Sequence, residues 1–179
     1  MGTPASGKST VAKALMQRFE KGVHIPVDNL RQMVVSGLSD MALEVPPATV
    51  KQLRLARETA SHMARNYSDH EFAVAIDDFW FGDEPDEVYA QKIGQRITRV
   101  LLLPNLETTV QRLYSRNPDE GSFKSILEQA IGIVYTWIQA HPKTDWLVID
   151  SSRLNIEETV DQILEGADKL ENKVVKSSP

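Results

Sequence analysis

Gly2-Thr3-Pro4-Ala5-Ser6-Gly7-Lys8-Ser9-Thr10 opens the chain and decides how the rest of it is read. A glycine, four residues and then Gly-Lys-Ser is a spacing with a mechanism behind it. Glycines let backbone amides turn inward into a concave anion site, and a helix starting at Lys8 aims its positive end at bound phosphates. In that arrangement Lys8 reaches the β- and γ-phosphates of ATP and the Ser9 hydroxyl ligates Mg²⁺. Gly2, Pro4, Ala5, Ser6, Gly7, Lys8, Ser9 and Thr10 are therefore the candidate ATP-binding residues. A chance match in a chain of 179 residues is on the order of one in a hundred, so the motif outweighs a mere glycine-rich helix cap.

Downstream of the loop, Lys8 to Glu20 carries Val11, Leu15 and Phe19 four apart, which predicts a helix that Gly22 can end. Upstream, the motif calls for an apolar strand of about five residues, and only Met1 precedes Gly2. The expectation is a true start further upstream, with the first strand missing from the sheet of the chain as written.

Beyond Gly22, short continuous apolar runs alternate with helical spacing. Val23 to Val27 is a β-branched run closed by Asp28, and Asn29 to Val35 has helical character up to Gly37. Pro46-Pro47 breaks the chain before an amphipathic helix. There Val50, Leu53, Ala56, Ala60, Met63 and Tyr67 recur three and four apart, with Lys51, Arg54 and Arg65 on the other side. Phe72 to Ile76 is a second buried-strand candidate and runs into Asp77-Asp78. Asp83 to Gln95 predicts a helix, Ile97 to Leu103 a strand stopped by Pro104, and Leu106 to Arg116 a helix. Turn formers fill Asn117 to Gly121. Ile126 to Ile138 predicts another helix, and Trp146 to Ile149 the last strand. Asn155 with Glu158 has the spacing of a capping box, opening a helix whose apolar pattern ends at Leu170. Residues 173–179 have no core pattern and are expected to be a disordered tail. Strands without internal alternation, interleaved with helices, predict one α/β domain over residues 1–172 with a parallel sheet covered on both faces.

A formal net charge of −5 and no dense basic run argue against nucleic acid as the main partner, because phosphate backbones select clustered Lys and Arg. The chain has no cysteine, which excludes disulfides, zinc–thiolate sites and thiol nucleophiles. No apolar stretch approaches the roughly 20 residues of a membrane span, and no signal peptide is visible, so the expectation is a cytoplasmic protein with no membrane partner.

Asp28 closes a predicted strand at the edge where open α/β sheets bind ligands. A carboxylate there can take the proton of an attacking hydroxyl; equally, Asp28 can cap the helix that follows it. One of Asp77 and Asp78 is a candidate for holding Mg²⁺, the alternative being an Asx turn leaving the strand. Phe79, Trp80 and Phe81 either line a pocket or pack in the core. Arg112 and Arg116 share a helix face beside the 117–121 loop and suit either phosphate clamping or a solvated basic face. His24, His62, His70 and His141 show no metal-ligand spacing.

Taken together, the chain resembles P-loop small-molecule kinases of the nucleoside-monophosphate-kinase-like group, especially the chloramphenicol phosphotransferase-like proteins often described simply as AAA-type ATP-binding proteins. The resemblance is carried by Gly2 to Thr10, Val27 to Arg31 (Val-Asp-Asn-Leu-Arg), Ala75 to Trp80 (Ala-Ile-Asp-Asp-Phe-Trp), Leu113 to Asn117 (Leu-Tyr-Ser-Arg-Asn) and Val148 to Ser152 (Val-Ile-Asp-Ser-Ser). It implies a three-layer P-loop NTPase fold with a parallel sheet in order 2-3-1-4-5 and a mobile lid, here about residues 105–125. In that order the missing first strand is the central one. The resemblance further implies phosphate and Mg²⁺ binding by Gly7, Lys8, Ser9 and Thr10. It also implies a general-base role for Asp28 and a lid-arginine role for Arg112 and Arg116. The expected function is ATP-dependent transfer of a phosphoryl group to a small-molecule hydroxyl. Two other readings compete with it: a nucleotide-binding NTPase module acting on a protein partner, and an inactive, N-terminally truncated remnant.

Overall fold

The computed structural model describes residues 1–39, 45–79, 84–93, 97–116 and 121–177. The loop at 2–7 leads into α1 (Lys8–Met16), then β1 (Gly22–Pro26), α2 (Val27–Gln32), α3 (Pro47–Ser68) and β2 (Ala73–Asp77). After these come α4 (Glu84–Ile93), β3 (Val100–Leu102), α5 (Leu106–Arg116), α6 (Gly121–Ala140), β4 (Leu147–Ile149) and α7 (Ile156–Ser177).

Local chemistry explains most boundaries. α1 stops four residues short of Glu20 because the chain must turn back against its end. A Cβ on Gly22 would lie 2.2 Å from the Met16 carbonyl oxygen, a contact only glycine tolerates. Phe19, expected on the apolar face, therefore falls beyond the helix and is exposed. Pro47 supplies the first helical position of α3, where a missing amide costs nothing. The capping box of α7 forms in both directions: Glu158 N–H donates to Asn155 Oδ1 at 2.9 Å, and Asn155 N–H donates to Glu158 Oε2 at 2.8 Å. α7 runs from Ile156 to Ser177. Of the loop expected at 117–121, residues 117–120 lie outside the described residues, and Gly121 is the first residue of α6.

The strands form two parallel pairs. β1 and β2 run in register from Gly22↔Ala73 to Pro26↔Asp77, and β3 and β4 from Val100↔Leu147 to Leu102↔Ile149. Met1-Gly2 lies alongside β3. Leu102 N–H donates to the Met1 carbonyl at 2.9 Å, the Met1 ammonium donates to the Val100 carbonyl at 2.9 Å, and Gly2 bridges Leu102 in the parallel sense. The architecture is α/β with short parallel strands, as expected. Among the described residues the strand orders are β1-β2 and β3-β4, with Gly2 bridged to Leu102 of β3.

One apolar cluster joins β1 to α3 and α4 through Ile25, Val27, Ala56, Ala60 and Tyr89. A second joins α1 and α7 to β3 and β4 through Val11, Leu102, Ile149, Val160 and Ile163. A third seats α6 on β3 through Leu101, Val134 and Ile138. Met1 touches both the first and the third, so its side chain spans the two halves of the sheet. No helix among the described residues is long and apolar enough to cross a membrane.

Candidate active site

The loop is built around backbone conformations that L side chains resist. Ala5 and Gly7 have φ of 59° and 96°, and Gly2 has 157°. A Cβ on Gly2 would lie 2.5 Å from the Leu102 carbonyl oxygen, so the loop passes tightly over the end of β3. Gly7 caps α1 and offers no side chain to its first amides, and the first turn holds Lys8 and no acid. That reverses the usual preference for carboxylates at a helix N-terminus and leaves the end strongly electropositive. Lys8 Nζ donates to the Thr3 carbonyl at 2.9 Å, across the loop. Thr3 Oγ1 and Ser6 Oγ are buried with no hydrogen-bond partner among the described residues, while Ser9 and Thr10 are exposed. Inward-turned backbone, an uncapped helix start, a lysine and orphaned hydroxyls fit a nucleotide's phosphate chain.

Arg112 reaches this loop from α5. It donates to the Ser6 carbonyl at 3.2 Å, to Ser151 Oγ at 3.4 Å and to the Ser151 carbonyl at 2.8 Å. It thus ties the phosphate loop to the segment after β4, and it is no solvated surface arginine. Arg116 ends α5, and its side chain lies outside the described residues. Trp80 and Phe81 lie outside them as well.

Asp28, Asp77 and Asp78 gather at the carboxyl ends of β1 and β2. Asp28 does not cap α2; Pro26 holds the cap position and Asp28 sits in the first turn. Its carboxyl is solvent-accessible, yet its pKa is raised, first by partial burial and then by the charge of Asp78, with Lys8 pulling it down. Among the described residues it has no hydrogen-bond or ion-pair partner. Asp77 Oδ2 lies 3.4 Å from His24 Nε2, an ion pair whenever His24 is protonated.

Asp78 is committed more deeply. Its Oδ2 accepts from Arg57 Nε at 2.8 Å and from the Tyr89 hydroxyl at 2.9 Å, all three residues being buried. Burial and the Asp78 charge push the Tyr89 hydroxyl far above its usual pKa, so it remains a donor at any ordinary pH. The Arg57 guanidinium also lies 5.5 Å from the centre of the Phe79 ring, so Phe79 packs against a cation. Among the described residues no group of three or more His, Cys, Asp or Glu converges on a metal site. Mg²⁺ in phosphoryl transfer usually takes only one or two carboxylates besides phosphate and water.

Arg57 and Tyr89 were not singled out from the sequence. The signal was present: Arg57 lies four residues after Leu53 and one after Ala56, on the apolar stripe of α3. A charge on a buried stripe requires a partner, and Asp78 is that partner.

No family model matches the chain, and no curated protein matches it. Solved structures do. A gluconokinase from Sinorhizobium meliloti matches with a TM-score of 0.69 at 16% identity, over 99% of this chain and 95% of that one. A shikimate kinase from Bacteroides thetaiotaomicron matches with a TM-score of 0.61 at 17% identity, over 96% of each chain. A thymidylate kinase from Candida albicans matches at 0.64 and 13% identity, over 96% of this chain and 90% of that one. The chain has the fold of the P-loop small-molecule kinases.

Proposed function

We propose that this chain is an ATP-dependent phosphotransferase that phosphorylates a hydroxyl group of a small molecule. One observation carries the reading: an accessible carboxylate of raised pKa, Asp28, stands in the field of the phosphate-loop lysine. A base of that kind suits proton removal from an alcohol, whose proton must leave as the new P–O bond forms.

The loop amides and Lys8 would hold the phosphate chain, and Arg112 would keep the loop in place against Ser151. Ser9 and Asp77 are the residues that would hold Mg²⁺, since Asp78 Oδ2 is already shared by Arg57 and Tyr89. Mg-ATP supplies the transferable phosphoryl group and neutralises charge on it. Asp28 orients the acceptor hydroxyl and takes its proton. An open groove beside Ser9 and Thr10, lined by Lys13, Gln17, Asn155 and Ile156, gives room for the rest of a nucleotide.

The test follows labelled γ-phosphate from Mg-ATP into a panel of hydroxyl metabolites. The expected product is a labelled organic phosphate, formed by the wild type and lost in Asp28→Asn, with ATP affinity nearly unchanged in the variant. Label found only in inorganic phosphate would favour an NTPase module instead. Turnover by Asp28→Asn equal to wild type would remove Asp28 from the mechanism. Binding is checked separately by thermal unfolding. Mg-ATP at about 100 times its dissociation constant should stabilise the fold by roughly 2.7 kcal/mol, and Lys8→Ala should abolish the effect.

A further inference from the structure

Among the described residues Ala5 and Glu71 are the non-glycine positions with positive φ, at 59° and 65°. Glu71 sits at an exposed turn, whereas Ala5 is buried inside the phosphate loop. An L side chain in the left-handed region is strained, and the conformation persists only where the surroundings enforce it. The inward turn of the loop amides depends on that backbone, so whatever holds Ala5 also holds the anion site.

What encloses Ala5 comes from α5 and α6. Its methyl belongs to one apolar cluster with Leu113 of α5 and the fully buried Ile131 of α6, and Leu127 packs against the same group. Leu127 and Ile131 are four apart, so one face of α6 meets the loop. Arg112, next to Leu113, donates to the Ser6 carbonyl. One turn of α5 thus grips Ala5 by apolar contact and Ser6 by a hydrogen bond. The Ser6 N–H in turn closes the loop by donating to the Thr3 carbonyl at 3.3 Å. Further along α6, Val134 and Ile138 pack on Leu101 of β3 instead. The helix therefore makes two separate apolar contacts, one with the sheet and one with the phosphate loop.

We propose that Leu113 and Ile131 are positioning residues for nucleotide binding. Their side chains buttress the Ala5 methyl, hold residue 5 in the left-handed conformation, and so set the affinity of the loop for a nucleotide. The proposal rests on the reading that this loop binds Mg-ATP. Without the buttress Ala5 relaxes toward ordinary negative φ, and only the fraction of molecules with the loop still formed can bind. For an alanine that preference is worth about tenfold in population. Glycine carries no such preference, so the buttress matters only while residue 5 has a methyl group. That gives a test which a general loss of stability cannot imitate.

The native chain is compared with Ile131→Ala, Val134→Ala, Ala5→Gly and Ala5→Gly/Ile131→Ala. The readouts are titration calorimetry with Mg-ADP and amide exchange of the nucleotide-free protein. Ile131→Ala should weaken Mg-ADP binding about tenfold and speed exchange at the Ser6 amide by a similar factor. Val134→Ala opens a void on the sheet side of the same helix; it should lower the unfolding midpoint and do neither. In the Ala5→Gly background the Ile131→Ala step should cost less than about twofold in either readout. An equal loss in both backgrounds, or one matched by Val134→Ala, would overturn the buttress and leave Ile131 an ordinary core residue. Should Ile131→Ala not fold, Ile131→Val makes the same comparison with an effect of about threefold. A native chain that does not bind Mg-ADP would sink the kinase reading, and the exchange arm then decides the buttress by itself. A Ser6 amide indifferent to Ile131→Ala would overturn it; one released by Ile131→Ala and restored by Ala5→Gly would support it.

Discussion

Replacing Arg57 with methionine tests the charge arrangement beneath the site. Methionine keeps the length of the aliphatic stem and removes only the guanidinium. In the native protein that group sits 2.8 Å from Asp78 Oδ2, with side-chain exposures of 3% for Arg57 and 1% for Asp78. Removing it leaves Asp78 with the Tyr89 hydroxyl on Oδ2 and, among the described residues, no partner on Oδ1, within reach of the charge on Asp28. Breaking one side of a buried ion pair costs about 3–5 kcal/mol. At about 2–4 °C per kcal/mol for a domain of this size, the unfolding midpoint should fall by roughly 10 °C. Urea unfolding with unchanged m-value is the assay, since an altered slope would mean a changed denatured state or a lost two-state transition. The double variant Arg57→Met/Asp78→Asn removes the stranded charge and keeps an acceptor for Tyr89. It should recover about 1–3 kcal/mol relative to the sum of the single variants. A single-variant cost below about 1 kcal/mol, or strict additivity, would refute the claim that a desolvated pair anchors the end of β2.

Two further outcomes follow from the same structure. The Met1 amine is protonated more weakly in the fold (pKa about 6) than its ordinary value of 8.0, so the unfolded chain binds more protons between those values. Stability should therefore rise by about 2–3 kcal/mol from below pH 6 to above pH 8, and acetylating the amine should remove that rise. Asn155→Ala removes the Oδ1 acceptor of the α7 capping box while leaving the backbone N–H bond to Glu158, and should cost about 1 kcal/mol in urea unfolding, whereas Asn155→Ser should cost a few tenths.

The elements most legible in the sequence are those whose signals are local. α5 falls on Leu106–Arg116 as its pattern predicts, and the α7 cap forms as the Asn155/Glu158 spacing requires. The loop at 2–7 and the helix after it were legible because Gly2 and Gly7 stand where the backbone takes positive φ and a helix begins at Lys8. Less legible were features set by partners distant in sequence. The end of α1 depends on the passage of Gly22 beside Met16, and the role of Arg112 depends on Ser151, thirty-nine residues away. Apolar spacing placed Arg57 on the buried stripe, but only the fold shows that Asp78 waits there.

The three carboxylates at this end of the sheet also sort themselves by environment, which bears on which one does chemistry. Asp78 Oδ2 accepts from two buried donors, so its carboxylate is fixed in place and has little freedom to serve a substrate. Asp77 shares its proton-accepting oxygen with His24 and is itself buried, which suits a fixed point charge near a metal better than a proton shuttle. Asp28 alone is accessible, without a partner among the described residues, and raised in pKa by burial and by Asp78. A raised pKa strengthens a base but requires that it lose its proton before it can act. The kinase reading therefore expects the acid limb of the rate profile to lie above the usual carboxylate range. It should move down in Asp78→Asn, which removes the second cause of the shift while Lys8 still favours the anion. An acid limb unmoved by Asp78→Asn, in a variant that remains folded, would mean that Asp28 is not the group whose deprotonation the rate reports.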